Sequence, residues 1–219
     1  MKVGVLLSGS GVNDGSEIHE SVLTMLFLDR SDVEIVLMAP NIDQMHVVNH
    51  YTGQEMDEFR NVLVESARIA RGDIKDMAEI RGDDLDALII PGGLGVAKNL
   101  SDYAMSGSEC SVNPDVYRMV VEMILAKKPI GAICIAPAMM AKILAEQDIS
   151  ATLTIGSDKA ESDDIETMGS QHQNCSTEEI VIDNENSIVT TPAYMDAKSI
   201  SEVAVGIEKL VGQVISMVK

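Results

Sequence analysis

Apolar residues fall into short unbroken runs separated by longer stretches of helical spacing. Val3 to Leu7 and Val33 to Ala39 are near-continuous apolar runs, as in strands buried on both faces. Asp86 to Pro91 and Ile130 to Ile133 read the same way. Between them, Ile18, Val22, Met25 and Leu26 recur at i, i+4, i+7 and i+8, which predicts an amphipathic helix from Glu17 to about Asp29 with Ser16 as its N-cap. Asn61 to Arg71 predicts a helix closed by Gly72, and Val116 to Ile124 another that ends at Lys127-Lys128 before Pro129. Ala136 to Glu146 and the stretch Ile200 to Ile215 are further helices. Met45 to His50 and Ala151 to Ile155 read as short strands. Ile180–Ile182 and Ser187–Thr190 flank Asp183 to Asn186 as a hairpin. Residues 156–179 are polar and acidic and predict no element. Strands alternating with helices imply an α/β fold, a doubly wound and mainly parallel sheet with helices on both faces. No linker or repeat divides the chain, so residues 1–219 read as a single domain.

Composition narrows the function classes. The 219 residues are 46% hydrophobic, enough for one sizeable core, yet only 3% are aromatic and none is Trp. The core is therefore aliphatic, with 14 Met as adaptable filler. A net charge of −19 without any basic run argues against nucleic acid and against anionic membrane surfaces. No stretch approaches the roughly 20 apolar residues of a membrane helix, and the N-terminal run is too short for a signal peptide. Three widely spaced cysteines, Cys110, Cys134 and Cys175, signal neither a disulfide framework nor a zinc ribbon. The expectation is a cytoplasmic protein with reduced thiols.

The chemistry centres on Cys134. It follows the Ile130–Ile133 run directly and precedes a helix of small residues, a strand-to-helix elbow that exposes one side chain above the sheet. Free N–H groups and the dipole of the helix start favour a thiolate there, so the sulfur is expected to be partly ionised. The alternative is a buried small hydrophobe. Gly92-Gly93 and the segment Asp14 to Glu20 leave the ends of neighbouring strands and converge on the same crevice. The Gly93 and Ile135 N–H groups suit a developing oxyanion. Glu17 and Glu20 bring carboxylates, with His19 between them. Gly92 and Asn13 complete the candidate pocket, and Ser8, Ser10 and Tyr194 are polar groups that turn or cap roles explain equally well. Gly9-x-Gly11-x-x-x-Gly15 imitates a dinucleotide fingerprint, but Leu37-Met38-Ala39-Pro40 stands where an acidic residue should follow. A tight loop is the better reading, and a nicotinamide oxidoreductase ranks last. His46 and His50 are spaced for a metal only on a helix, which Val47-Val48 opposes, so neither a metal nor a cofactor is expected. His172 reads as an exposed loop histidine, and spacing does not assign Cys110.

Several ordered runs carry a family resemblance. Pro91-Gly92-Gly93-Leu94-Gly95-Val96-Ala97-Lys98-Asn99-Leu100-Ser101 and the Cys134 elbow resemble the PfpI-type, class I glutamine-amidotransferase-like superfamily. Leu6 to Glu20, Gly107-Ser108-Glu109-Cys110 and Val189 to Met195 resemble its ElbB branch, the ES-one-like or enhancing-lycopene-biosynthesis proteins. The resemblance spans the chain. It implies a flavodoxin-like fold, a homodimer, a nucleophilic Cys134, and a glutamate from the first helix beside the sulfur. Glu17 maps there, with His19 or Glu20 as alternatives. It also implies cofactor-independent glyoxalase activity on glyoxal, a small dicarbonyl, and a nominal link to isoprenoid biosynthesis.

Two departures bear on activity. Amidotransferases place a His-x-Glu pair near the C-terminus, whereas here no histidine follows His172 and Thr190-Thr191-Pro192-Ala193 fills that stretch. Some relatives carry a histidine directly after the cysteine, where this chain has Ile135. The expected reaction is therefore glyoxal to glycolate through a Cys134 hemithioacetal, rather than glutamine hydrolysis. The rival is a thiol redox sensor or binding protein without catalysis.

Overall fold

The computed structural model describes residues 1–219. A seven-stranded sheet forms its centre. β1 (Lys2–Leu6) and β2 (Glu34–Ala39) precede the small hairpin β3 (Val47–Asn49) and β4 (Gln54–Met56). β5 (Lys75–Asp76), β6 (Ala87–Ile90) and β7 (Ile130–Ile133) follow. β8 (Thr152–Leu153) pairs in parallel with β9 (Gln171–His172) outside the main sheet, and β10 (Val181–Asp183) and β11 (Ile188–Thr191) close the strand set. The order across the main sheet is β10-β11-β7-β6-β1-β2-β5, parallel throughout except for β10 against β11. This is the expected doubly wound α/β fold. β6, β7 and β11 are wholly buried, as continuous apolar runs require. Strand order reverses between β1 and β6, so a crevice opens above their carboxyl ends.

The helices are α1 (Ile18–Arg30), α2 (Val62–Ile69), α3 (Tyr103–Ser106), α4 (Pro114–Leu125), α5 (Ala136–Glu146), α6 (Lys159–Thr167) and α7 (Ile200–Met217). α5 has the bounds its periodicity predicts. Asn61 caps α2 by accepting from Val64 N–H, and Gly72 follows at φ 88°. No helix is long and apolar enough to cross a membrane.

Four local expectations are corrected. Glu17, not Ser16, caps α1: its carboxylate accepts the Glu20 N–H at 2.7 Å, while Ser16 Oγ accepts the Ser8 N–H at 2.8 Å. α1 is also rotated from its apolar face. Ile18, Val22 and Leu26 are exposed, and Glu20, Ser21, Thr24, Phe27 and Leu28 face inward. The inward stripe brings Glu20 to the crevice, and Phe27 and Leu28 supply its apolar contact further along. The acidic stretch holds α6 and β9 where no element was expected; α6 buries only Ile165, so its apolar periodicity is faint, but Asp158 caps it. The last hairpin turns over Asn184 to Ser187, one residue late, because Asp183 is buried in β10 with its carboxylate on the Thr152 and Asn186 N–H groups.

Candidate active site

Strand β7 ends and α5 begins at Cys134, whose φ of 61° lies in the left-handed region that a side chain rarely adopts. The neighbouring strand fixes this turn: the Cys134 N–H donates to Thr191 O of β11 at 3.0 Å. Backbone N–H groups of Gly93 and Ile135 both point at the sulfur. Ile135 caps α5, so its N–H belongs to the free donors of a helix start. Cys134 is 7% exposed. The elbow, the two donors and their convergence are as expected from sequence.

The carboxyl group on the sulfur belongs to Glu20. It lies beside Cys134, while Oε2 accepts the Gly92 N–H at 2.8 Å and Oε1 accepts the Tyr194 N–H at 3.3 Å. The mapping of Glu17 to this place is thereby corrected. Glu17 lies one residue before the helix and turns its carboxylate back as the cap; Glu20, one turn later, faces the sheet. Gly92 leaves room for this pair, since a Cβ there would stand 2.6 Å from Glu20 Oε2 and press on the Cys134 Cβ.

Burial sets the electrostatics. Glu20 has no exposure, and desolvation followed by the Glu17 charge pushes its carboxyl up to about 8. Desolvation, then the Glu20 charge, pushes the Cys134 thiol well above the usual thiol range, against the Gly93 and Ile135 donors. The expectation of a partly ionised resting sulfur is therefore corrected: the helix start is real, but burial outweighs it. At pH 7 the pair is mostly thiol and carboxylic acid, and its first proton leaves near pH 8.

Other candidates occupy the rim or support the loop. His19 is exposed, and its Nδ1 is 2.8 Å from Tyr194 Oη. Asn13 acts through its backbone, donating N–H to His50 Nε2 and accepting from Lys98 Nζ at 2.8 Å. Ser8 is fully buried and ties down the Gly-rich loop, whose Gly9 and Gly11 adopt φ of 119° and 131° as a tight-loop reading requires. His46 and His50 flank β3 at its two ends, near Glu55 and Asp14 respectively, and do not meet on a helix. His172 is half-buried in β9 and accepts the Ile155 N–H at 3.4 Å, so it is not an exposed loop residue. Cys110 is buried, and desolvation raises its thiol. A cavity of about 380 Å³ lies between the β3–β4 hairpin and Phe59, lined by Gln44, His46 and Glu55 rather than by the cysteine.

Sequence reasoning missed the backbone partners, Thr191 O and Tyr194 N–H, because no side-chain pattern encodes them. It also missed Asn99, whose Nδ2 donates to Ser8 O and Asp14 O, both at 2.9 Å, and whose Oδ1 accepts the Met45 N–H. The run Ala97-Lys98-Asn99 held that signal in plain view.

A cysteine on a positive-φ elbow at the switch point of a parallel sheet, with a buried acid on its sulfur, defines an amidotransferase-like thiol protein. The DJ-1/PfpI family profile matches residues 11–202, and the chain belongs to that family. It is 40% identical to the human mitochondrial glutamine amidotransferase-like class 1 domain-containing protein 3, across 99% of this chain and 83% of that protein. It is 39% identical to the rat mitochondrial ES1 protein homolog, across 99% of this chain and 84% of that protein. Among solved structures, the isoprenoid biosynthesis protein with amidotransferase-like domain from Ehrlichia chaffeensis superposes at a TM-score of 0.93, with 42% identity and full coverage of both chains.

Proposed function

We propose that this protein is a cofactor-independent glyoxalase that converts glyoxal to glycolate on Cys134. One observation carries the reading: a fully buried carboxyl, Glu20, lies beside the elbow cysteine and is held there by the Gly92 and Tyr194 N–H groups, and burial raises its ionisation towards neutrality. Proton transfer works best with such a group.

Once the pair has lost one proton, Glu20 takes the thiol proton as the sulfur adds to one aldehyde carbon. The resulting oxyanion lies beside the Gly93 and Ile135 donors. Glu20 returns that proton to the oxyanion, giving the hemithioacetal hydroxyl, and as a carboxylate again it moves the proton from that carbon to its neighbour through an enediol, which gives a glycolyl thioester. Water cleaves the thioester, restores the thiol and releases glycolate. Overall, glyoxal and water yield glycolate and one proton. An elbow only 7% exposed suits a two-carbon substrate. The departure from the His-x-Glu pattern supports this over glutamine hydrolysis.

The redox-sensing alternative is weaker at this sulfur, because ready oxidation needs an accessible, low-pKa thiol. The test is formation of glycolate from glyoxal, followed by NMR without added thiol, for the unmodified protein and Cys134→Ala. Equal turnover by the two would remove the sulfur from the reaction.

A further inference from the structure

The reaction proposed above releases one proton per turnover, yet the acid that handles protons has no exposed surface. A route to solvent is needed. The histidine that relatives place after the cysteine is absent, and His46, His50 and His172 are engaged on the β3–β4 hairpin and β9.

His19 is placed for the task. It precedes Glu20 on the first turn of α1 and is exposed, and its Nδ1 is 2.8 Å from Tyr194 Oη. The two rings pack at 5.8 Å with a 48° tilt. Tyr194 in turn stands at the site, because its N–H donates to Glu20 Oε1. Its turn is held tightly, with Ala193 buried at a φ of 46°. One residue thus touches the buried acid through its backbone and the exposed imidazole through its hydroxyl. Burial and the charges of Glu17 and Glu20 raise the Tyr194 phenol, so it stays protonated at neutral pH and has a proton to pass.

We propose that Tyr194 and His19 form the proton outlet of the Cys134 site, an inference that rests on the glyoxalase reading. With Nδ1 unprotonated, the phenol gives its proton to the imidazole and takes one that solvent water carries from the site, since the residue's direct contact with Glu20 is its backbone N–H. The tyrosine is restored, and the imidazolium passes the proton to buffer from Nε2. No bond order changes outside these O–H and N–H bonds, and no co-reactant is needed.

The experiment compares glyoxal turnover by the unmodified protein, His19→Ala and Tyr194→Phe in weak and in strong imidazole buffer. His19→Ala is expected to lower kcat about tenfold in weak buffer with little change in KM, less than the roughly hundredfold or more of a general acid or base that acts on the reacting atoms. Added imidazole should restore it, since the position opens to solvent. Tyr194→Phe keeps the amide on Glu20 and loses only the hydroxyl; it should fall similarly and respond less to imidazole. Full activity of His19→Ala in weak buffer would overturn the proposal. So would a loss that imidazole does not rescue, which would mark a purely structural contact. If His19→Ala fails to fold, undiminished turnover by Tyr194→Phe overturns it alone. An inactive unmodified protein would instead refute the glyoxalase reading.

Discussion

Replacing Glu20 with Gln should trade activity for stability, and the trade should depend on pH. In the unfolded chain the carboxyl titrates near 4.5; folded, it titrates near about 8. Folding therefore holds a proton that the unfolded state releases, so this group's ionisation erodes stability as pH rises from 4.5 towards 8. A gap of about 3.5 units at 1.36 kcal/mol each, integrated between pH 5 and 9, comes to about 4 kcal/mol. The group is fully buried, so solvent screening does not reduce this. Glutamine keeps an oxygen for the Gly92 or Tyr194 N–H and carries no ionisation. Glu20→Gln should then gain about 4 kcal/mol on the unmodified protein between pH 5 and pH 9, a relative Tm shift on the order of 10 °C for a chain of this size. Thermal or urea unfolding at the two pH values measures it. Glyoxal turnover by the variant should drop about a hundredfold or more, as removal of a general base entails. A Tm difference between the two proteins that stays constant from pH 5 to 9 would refute the raised ionisation, and with it the account of the buried pair.

Four further outcomes follow from the same contacts. In the unmodified protein, kcat/KM for glyoxal should rise with pH and level off above about 8, where the Cys134–Glu20 pair has lost its first proton. Glu17→Gln retains an oxygen to cap α1 but removes the charge that raises Glu20, so that limb should move to lower pH in the rate profile. Gly92→Ala forces a Cβ onto the Cys134 Cβ and Glu20 Oε2; it should cost about 1–3 kcal/mol in chemical unfolding and most of the turnover. Asn99→Ala strands Ser8 O and the Met45 N–H and leaves Asp14 O with Gln44 Nε2 alone; it should cost about 2 kcal/mol in the same assay, loosening the loop that leads to Glu17.

The legible parts of this chain were those where one physical signal dominates. Continuous apolar runs marked β1, β6 and β7 because a parallel sheet buries both strand faces; β2, next to the short edge strand β5, was marked by the same signal although only Met38 and Ala39 are fully buried. Cys134 was legible because strand, cysteine and helix are contiguous. Glu20 was obscured by α1, whose stronger apolar stripe, Ile18, Val22 and Leu26, faces outward and misstates the helix phase. Reading the other stripe, Glu20, Thr24, Phe27 and Leu28, would have found an acid among inward positions. The state of the sulfur was illegible for a different reason. Sequence reveals a helix start behind a cysteine but not how much water is removed from it, and here desolvation decides the sign.

That balance lets the proposed reaction run without a histidine beside the cysteine. A histidine partner stabilises a thiolate by being a cation. Here the partner is an acid, so the reactive state is reached by removing one proton from a neutral pair rather than by separating charge within it. The surrounding backbone makes this workable. Gly92 and Tyr194 N–H groups receive the charge when it sits on Glu20, and Gly93 and Ile135 N–H groups receive it when it sits on sulfur. Four amides therefore bracket one mobile negative charge in a desolvated pocket, where each is worth more than in water. Thr191 O completes the arrangement by fixing the elbow from β11. Main-chain groups of β11 and its turn thus hold the elbow and the buried acid, which is why the stretch Thr190 to Ala193 looks empty of chemistry in sequence and is central in the fold.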